Sequence, residues 1–91
     1  MGIWLGVTVE ATTKNNAHVS VVKIVEDVSD GHDFVFSEKQ SQLYEAWTRH
    51  IVEYRIELDG HPTIIYLNKL NKALTEKCVE HTITADNLVL Y

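Results

Sequence analysis

The stretch IVEYRIEL, residues 51–58, decides which fold this chain adopts. Apolar and charged side chains alternate along it, and several of the apolar ones are β-branched, which is typical of a strand with one buried face. The same residues also extend a helical pattern that begins near Leu43 and would end at Gly60, with Pro62 behind it. We predict a strand over residues 51–58, and the continued helix is the alternative.

Two strands are predicted ahead of this stretch. Residues 3–11 alternate between apolar and polar side chains with period two, which predicts a half-buried strand. Turn-forming residues follow at 13–16, and residues 18–28 are β-branched and apolar on both faces, as in a central strand. The two segments are predicted to pair as an antiparallel hairpin.

Two helices are predicted from capping signals. Ser37 and Gln40 have the spacing of a capping box, and apolar side chains follow them at helical spacing as far as about residue 50. Asn68 is predicted to cap a second helix over residues 69–77, whose last turn carries a lysine that suits the negative end of the helix dipole.

Short strands fill the remaining segments, at residues 62–67 and at residues 81–91, the latter with a bulge near Asp86. The predicted order of elements is therefore β-β-α-β-β-α-β. This is an α+β fold with a mostly antiparallel sheet and two helices on one face, equivalent to a ferredoxin-like βαββαβ unit with an added N-terminal strand.

Composition predicts a single domain over residues 1–91, with 45% hydrophobic residues and a net charge of −5. The eight lysines and arginines are scattered, which disfavours direct nucleic-acid binding because that affinity comes from clustered basic side chains. Apolar runs are too short for a membrane span, and the start has no basic leader. Since Cys78 is the single cysteine, no internal disulfide can form, and we expect a cytoplasmic protein.

The triplet DGH occurs at residues 30–32 and again at residues 59–61. A true repeat would carry its flanking residues with it, but at this offset Leu43 aligns with Lys72. Because glycine adopts a positive φ without strain, Asp-Gly favours turns. We interpret the two triplets as two turns with the same chemistry rather than as a shared catalytic signature.

Two patterns contain the residue types of a chemical site. The acidic loop 26–38, which includes His32, could hold a hard cation, but it lacks the EF-hand spacing and is better explained as a solvated loop. Cys78 and His81 give one C-x₂-H pair, whereas zinc requires three or four protein ligands. Glycine-rich phosphate motifs and the G-x-S-x-G motif do not occur. We predict no metal site, no cofactor and no catalytic residue.

The most informative surface is the face of the sheet that the helices leave open. It would present a large aromatic side chain among charged ones, which is the composition of an interface hot spot. In the alternative, the tryptophan packs under the acidic loop or the alternation is shifted. The predicted interaction residues are Trp4, Thr8, Glu10, Glu53, Arg55, Glu57 and, if the register allows, Tyr66.

These observations favour a non-enzymatic interaction module, a small acidic protein that occludes a basic site on another protein as an inhibitor or immunity-type factor. Homodimerisation through the sheet face or an edge strand is a further expectation. One alternative is a small cofactor-independent enzyme that uses His32 or His61 with a nearby aspartate as acid and base. The other alternative is a structural subunit of a larger assembly.

Overall fold

The computed structural model describes residues 4–58, 60 and 62–86, and the backbone of residues 88–90. These residues form five strands and two helices, and a short 3₁₀ turn, Asn15–Ala17, follows the first strand. In chain order the elements are β1 (Trp4–Lys14), α1 (Val21–Val28), β2 (Phe34–Leu43), β3 (Trp47–Glu57), α2 (Thr63–Lys77), β4 (Glu80–Ala85) and β5 (Leu88–Leu90).

The strands form one sheet in the order β2-β3-β1-β4-β5, and every neighbouring pair is antiparallel. β1 pairs with β3 from Trp4 opposite Glu57 to Lys14 opposite Trp47. The predicted strand at residues 51–58 is confirmed, although it begins earlier, at Trp47. The continued helix is excluded, because this segment supplies hydrogen-bonding partners to both β1 and β2.

Both helices pack on the same face of the sheet, as predicted. Inward side chains of β1, β3 and β4 and one face of each helix form a single buried cluster. Helix α1 contributes valines spaced by four and three residues, and α2 contributes leucines with the same kind of spacing. The buried helical residues are Val21, Val25 and Val28 of α1 and Tyr66, Leu67, Leu70 and Leu74 of α2.

A chain of buried hydroxyl groups links the two helices to the sheet. Tyr66 Oη of α2 lies 2.9 Å from Ser29 Oγ, directly after α1, and 2.6 Å from Tyr54 Oη of β3. Burial raises the pKa of Tyr54 and of Tyr66, so both phenols keep their protons. Each hydroxyl group is therefore satisfied within the protein, which is required at this depth.

The loop between β2 and β3 is held by Asn15. Its backbone N–H donates to Ala46 O at 3.1 Å, and its side-chain Nδ2 donates to Tyr44 O at 3.1 Å. The hydroxyl of Thr48 in turn donates to Asn15 Oδ1. Three hydrogen bonds therefore fix the tip of the hairpin to the end of β1.

The predicted strand at residues 18–28 is wrong, because this segment contains helix α1, and its predicted hairpin with the first strand does not form. Ser20 caps the helix by accepting a hydrogen bond from the backbone N–H of Lys23. The β-branched composition suggested a strand, but the spacing of the buried valines places them on one helical face. Burial of that face outweighs the modest intrinsic strand preference of valine.

The predicted helix at residues 37–50 is also wrong, because β2, the hairpin loop and the start of β3 occupy this segment. The capping box does not form, and the Gln40 side chain donates to Glu38 instead. Residues 37–43 are all exposed, so this segment has no buried helical face. Its conformation is fixed by the long ladder that it forms with β3.

The predicted strand at residues 62–67 is part of helix α2, which starts at Thr63 and includes the predicted cap, Asn68, in its interior. Pro62 precedes the first helical residue, a position where its missing N–H costs little. The final predicted strand is divided into β4 and β5 by a turn at Asp86, whose φ is 52°. The observed order is thus β-α-β-β-α-β-β, with the additional strand at the C-terminal end.

The first DGH triplet lies in a turn after α1, where Gly31 has a φ of 85°. In the second triplet Gly60 also has a φ of 85° and lies in a turn, while Asp59 and His61 are outside the described residues. An L side chain is strained at such a φ, which explains glycine at both positions. The turn interpretation is confirmed at both glycines.

We predict that Tyr66→Phe lowers the free energy of unfolding by about 1–3 kcal/mol, because it leaves the buried hydroxyls of Ser29 and Tyr54 without their shared partner. Tyr44→Phe is the matched control, since it removes an exposed hydroxyl that donates only to Gln42. Its cost should stay within about 0.5 kcal/mol. Urea denaturation measures both, and equal costs would show that the hydroxyl chain does not stabilise the fold.

Candidate functional site

The open face is defined here as the side of the sheet opposite the two helices. Successive side chains of a strand point to opposite faces, so the residues that alternate with the buried ones lie on it. They are Trp4, Gly6, Thr8, Glu10, Thr12 and Lys14 of β1; Trp47, Arg49, Ile51, Glu53, Arg55 and Glu57 of β3; Val35, Glu38, Gln40 and Gln42 of β2; and Glu80, Thr82 and Thr84 of β4.

Six of the seven predicted interaction residues lie on the open face, and Tyr66 does not. The placement of Tyr66 was wrong because residues 62–67 were assigned to a strand, whereas Tyr66 belongs to α2 and is buried in the hydroxyl chain. Its spacing to Leu70 and Leu74 is the signal of a buried helical face that would have corrected the assignment. The binding role of the other six residues stays a prediction.

A hollow of 320 Å³ lies on the open face, bordered by Trp4, Val35 and Arg55. Trp4 is 42% exposed and Val35 is 59% exposed, so both apolar surfaces are accessible. The register brings these side chains to one region, since Val35 stands opposite Arg55 in the ladder with β2 and Trp4 stands opposite Glu57 in the ladder with β1. The result is an accessible apolar depression with a guanidinium group at its rim.

Two carboxylates stand opposite each other beside this hollow. The ladder between β2 and β3 shifts register between Phe36 and Glu38, and the shift places Glu38 opposite Glu53. A hydrogen bond with Glu38 raises the pKa of Glu53, and desolvation and repulsion from Glu38 act in the same direction. The Gln40 amide also donates to Glu38 Oε1 at 3.0 Å. The pair is therefore an acidic spot that a cationic group would stabilise.

The remainder of the open face is polar and carries more acids than bases. Arg49 forms an ion pair with Glu10 at 3.6 Å, and both side chains are about half exposed. Together with Thr12, Thr82 and neighbouring residues they line a second hollow of 340 Å³. Across the open face, five glutamates stand against two arginines and one lysine. The surface is thus net acidic, like the whole chain.

The histidine proposed for the enzymatic alternative lies in a different place. His32 lines a hollow of 120 Å³ together with Gly31, Asp33 and Glu57. Two carboxylates therefore stand near an imidazole, but the hollow is smaller than the roughly 300–1,000 Å³ typical of small-molecule pockets. His61, the second candidate, is outside the described residues.

The cysteine follows α2 and is half-buried, and its burial raises the pKa of the Cys78 thiol. His81, the other member of the C-x₂-H pair, lies with Nε2 2.6 Å from Asn71 Oδ1. Within residues 4–58, 60 and 62–86, no group of three or more His, Cys, Asp and Glu side chains is placed to hold a metal ion. Neither helix of this part of the chain is long and apolar enough to cross a membrane.

The sequence matches no protein-family model and no curated protein. Among solved structures, the fold is similar to the C-terminal domain of the MgtC protein from Mycobacterium tuberculosis, with a TM-score of 0.64 at 12% identity over 89% of this chain and 86% of that one. It is also similar to a formyltetrahydrofolate deformylase from Pseudomonas putida KT2440, with a TM-score of 0.59 at 15% identity. That match covers 94% of this chain and 30% of the deformylase. At these identities the likeness shows the fold alone.

We predict that the pKa of the Glu53 carboxyl, measured by an NMR titration, lies above its ordinary value in the wild type and falls towards it in Glu38→Gln. A raised folded-state pKa means that the native state holds the proton more tightly than the unfolded chain does. The tighter proton binding of Glu53 in the native state therefore stabilises the fold below the ordinary pKa of a glutamate carboxyl. This stabilisation is lost as the pH rises through the folded-state pKa of Glu53. Glu57→Gln, on the same face, is the control and should leave the Glu53 titration unchanged.

Proposed function

We propose that this chain is a non-enzymatic protein-interaction module whose open face binds a basic surface of another protein. The observation that carries the proposal is the apolar hollow bordered by Trp4, Val35 and Arg55, which lies beside the acidic pair of Glu38 and Glu53. Hot spots of interfaces combine a large aromatic anchor with polar groups around it. The likeness to the small C-terminal domain of the MgtC protein is compatible with such a module.

The aromatic anchor is supported by its backbone position. Trp4 lies in β1 opposite Glu57, so its backbone is held by the ladder with β3. An anchor on an ordered strand needs no further ordering of its backbone when it is buried against a partner. The hollow bordered by Trp4, Val35 and Arg55 gives an apolar side chain of the partner a place next to the indole.

The charge of the partner is inferred from the acidic pair. A hydrogen bond with Glu38 raises the pKa of Glu53 in the free protein, and desolvation and repulsion from Glu38 add to it. A lysine or arginine placed between them would relieve that repulsion and form charge-assisted hydrogen bonds. The net charge of −5 extends the attraction to longer range and would speed association with a basic partner.

These features support a role as an inhibitor or immunity-type factor that covers a basic site. We place this role in the cytoplasm, because Cys78 is the single cysteine and a chain without an internal disulfide suits a reducing compartment. The order of the first six elements, β-α-β-β-α-β, supports assignment to the ferredoxin-like architecture, with β5 as an addition. That architecture accommodates many functions, so the functional proposal depends on the open face itself.

One observation favours the enzymatic alternative, namely the placement of His32 beside Asp33 and Glu57. An imidazole with a neighbouring carboxylate is a general acid–base arrangement. The interaction proposal is preferred because the hollow around His32 is small, at 120 Å³, while the hollow beside Trp4 is wider and adjoins the acidic pair. Loss of turnover of a substrate in His32→Ala with His61→Ala would establish the enzyme instead.

We predict that Trp4→Ala weakens binding of the partner about thirtyfold or more, as expected for truncation of an aromatic hot spot. The experiment is affinity capture from a host extract, followed by measurement of the dissociation constant with the purified partner. Ile65→Ala is the control and should leave binding unchanged, since this side chain is 61% exposed but belongs to α2, on the side of the sheet opposite the open face. Glu38→Gln with Glu53→Gln should weaken binding and reduce its dependence on salt. Full retention of every partner by Trp4→Ala would refute the proposal.

A further inference from the structure

The second surface of interest is the outer edge of β2, which is distinct from the open face. The sheet order places β2 at one edge, and within the described part of the chain it pairs only with β3. β2 has ten residues, whereas β5 at the other edge has three. A long edge strand presents a row of main-chain groups that another strand can pair with. We infer that two copies of this chain pair through their β2 edges into one continuous sheet.

The hydrogen-bonding phase of β2 identifies which residues face this edge. Tyr44 N donates to Trp47 O at 2.8 Å at the end of the hairpin, so these two residues form a hydrogen-bonded pair. Hydrogen-bonded and non-hydrogen-bonded pairs alternate along an antiparallel ladder. Gln42 and Gln40 lie two and four residues before Tyr44, so they are in hydrogen-bonded pairs as well, and their main-chain N–H and C=O groups point to β3.

The intervening residues are Lys39, Ser41 and Leu43, and their N–H and C=O groups are directed away from β3 to the outer edge. The bulge after Phe36 interrupts this phase. The segment able to receive another strand is therefore residues 39–43. Asn15 fixes the loop that follows it, so the segment is ordered before pairing.

One register of the two copies uses all three outward residues. With a two-fold axis at Ser41, Ser41 lies opposite Ser41 of the second copy. Lys39 of each copy then lies opposite Leu43 of the other copy. Three hydrogen-bonded pairs then form, with about six main-chain hydrogen bonds. An axis at Lys39 would instead bring two lysines together. In the register at Ser41, the aliphatic stem of Lys39 covers Leu43, which is 78% exposed in the single chain.

Charge explains why a second copy uses this edge and not the open face. Each chain has a net charge of −5, so two copies repel each other at most approaches. β2 carries one acid, Glu38, and one base, Lys39, so the edge is locally neutral. The open face has an excess of glutamates, which disfavours a second copy and favours a basic partner. The dimer would leave the open face of each copy free.

The first test is Ser41→Pro, measured by sedimentation equilibrium from micromolar to millimolar protein. Proline removes an outward N–H without removing a ladder bond to β3, and edge strands tolerate it. Two hydrogen bonds of the dimer are lost, so its dissociation constant should rise about thirtyfold. Ser41→Thr keeps the N–H and should dimerise like the wild type. A wild type that stays monomeric, or equal dissociation constants for the two variants, would overturn the inference.

A charge exchange tests the register without proline. Leu43→Lys places a lysine opposite Lys39 of the second copy and should weaken the dimer, and adding Lys39→Glu should restore it. Failure of the double variant to restore the dimer overturns the register.

Loss of the dimer in Trp4→Ala would place the contact on the open face and overturn the edge. If the wild type is monomeric and Ser41→Pro abolishes binding of a different protein, the edge receives a foreign strand and the homodimer is excluded.

Discussion

The pairing of β1 with β3 is the constraint on which the rest of the structure depends. The two strands match residue for residue over their whole length, so their inward side chains form the centre of the core and their outward side chains form the centre of the open face. Because side chains alternate with period two, a slip of one residue would exchange the two faces. Burial of Val9, Val52 and Ile56 therefore also determines which charges reach the surface.

Half of the fold could be predicted from the sequence, and the errors share a physical cause. The strands predicted at residues 3–11 and 51–58 are correct over residues 4–11 and 51–57, because one face of each is buried and the alternation records it, while residue 3 lies outside the described residues. Residues 21–28 were not, because valine-rich composition suggested a strand while the helix is stabilised by tertiary burial of Val21, Val25 and Val28. β2 lacks a clear alternation of buried residues. Its extended conformation is fixed by pairing with β3, and the sequence of β2 alone contains no pattern that indicates this pairing.

The candidate site was predicted in part for the same reasons. Residues on β1 and β3, such as Trp4 and Arg55, were assigned to the open face because the alternation of those strands was clear. Val35 and Glu38 were missed because they belong to β2, and Glu38 reaches Glu53 only through the register shift. A pairing between strands, and a bulge in it, are properties of the assembled sheet and leave no periodic signal in one segment.

The single extra residue in β2 has a wider consequence for how the surface can change during evolution. The bulge sets the face on which every later residue of the strand lies, so it puts Glu38 on the open face and Leu43 on the other. If the same sequence paired with β3 without the bulge, the outer half of the strand would turn over, which would separate the two carboxylates and carry Leu43 to the opposite side. Removal of the extra residue itself would instead leave a regular ladder with Glu38 still opposite Glu53. Substitutions alter these surfaces one side chain at a time, whereas a change of register at constant strand length would remodel both at once.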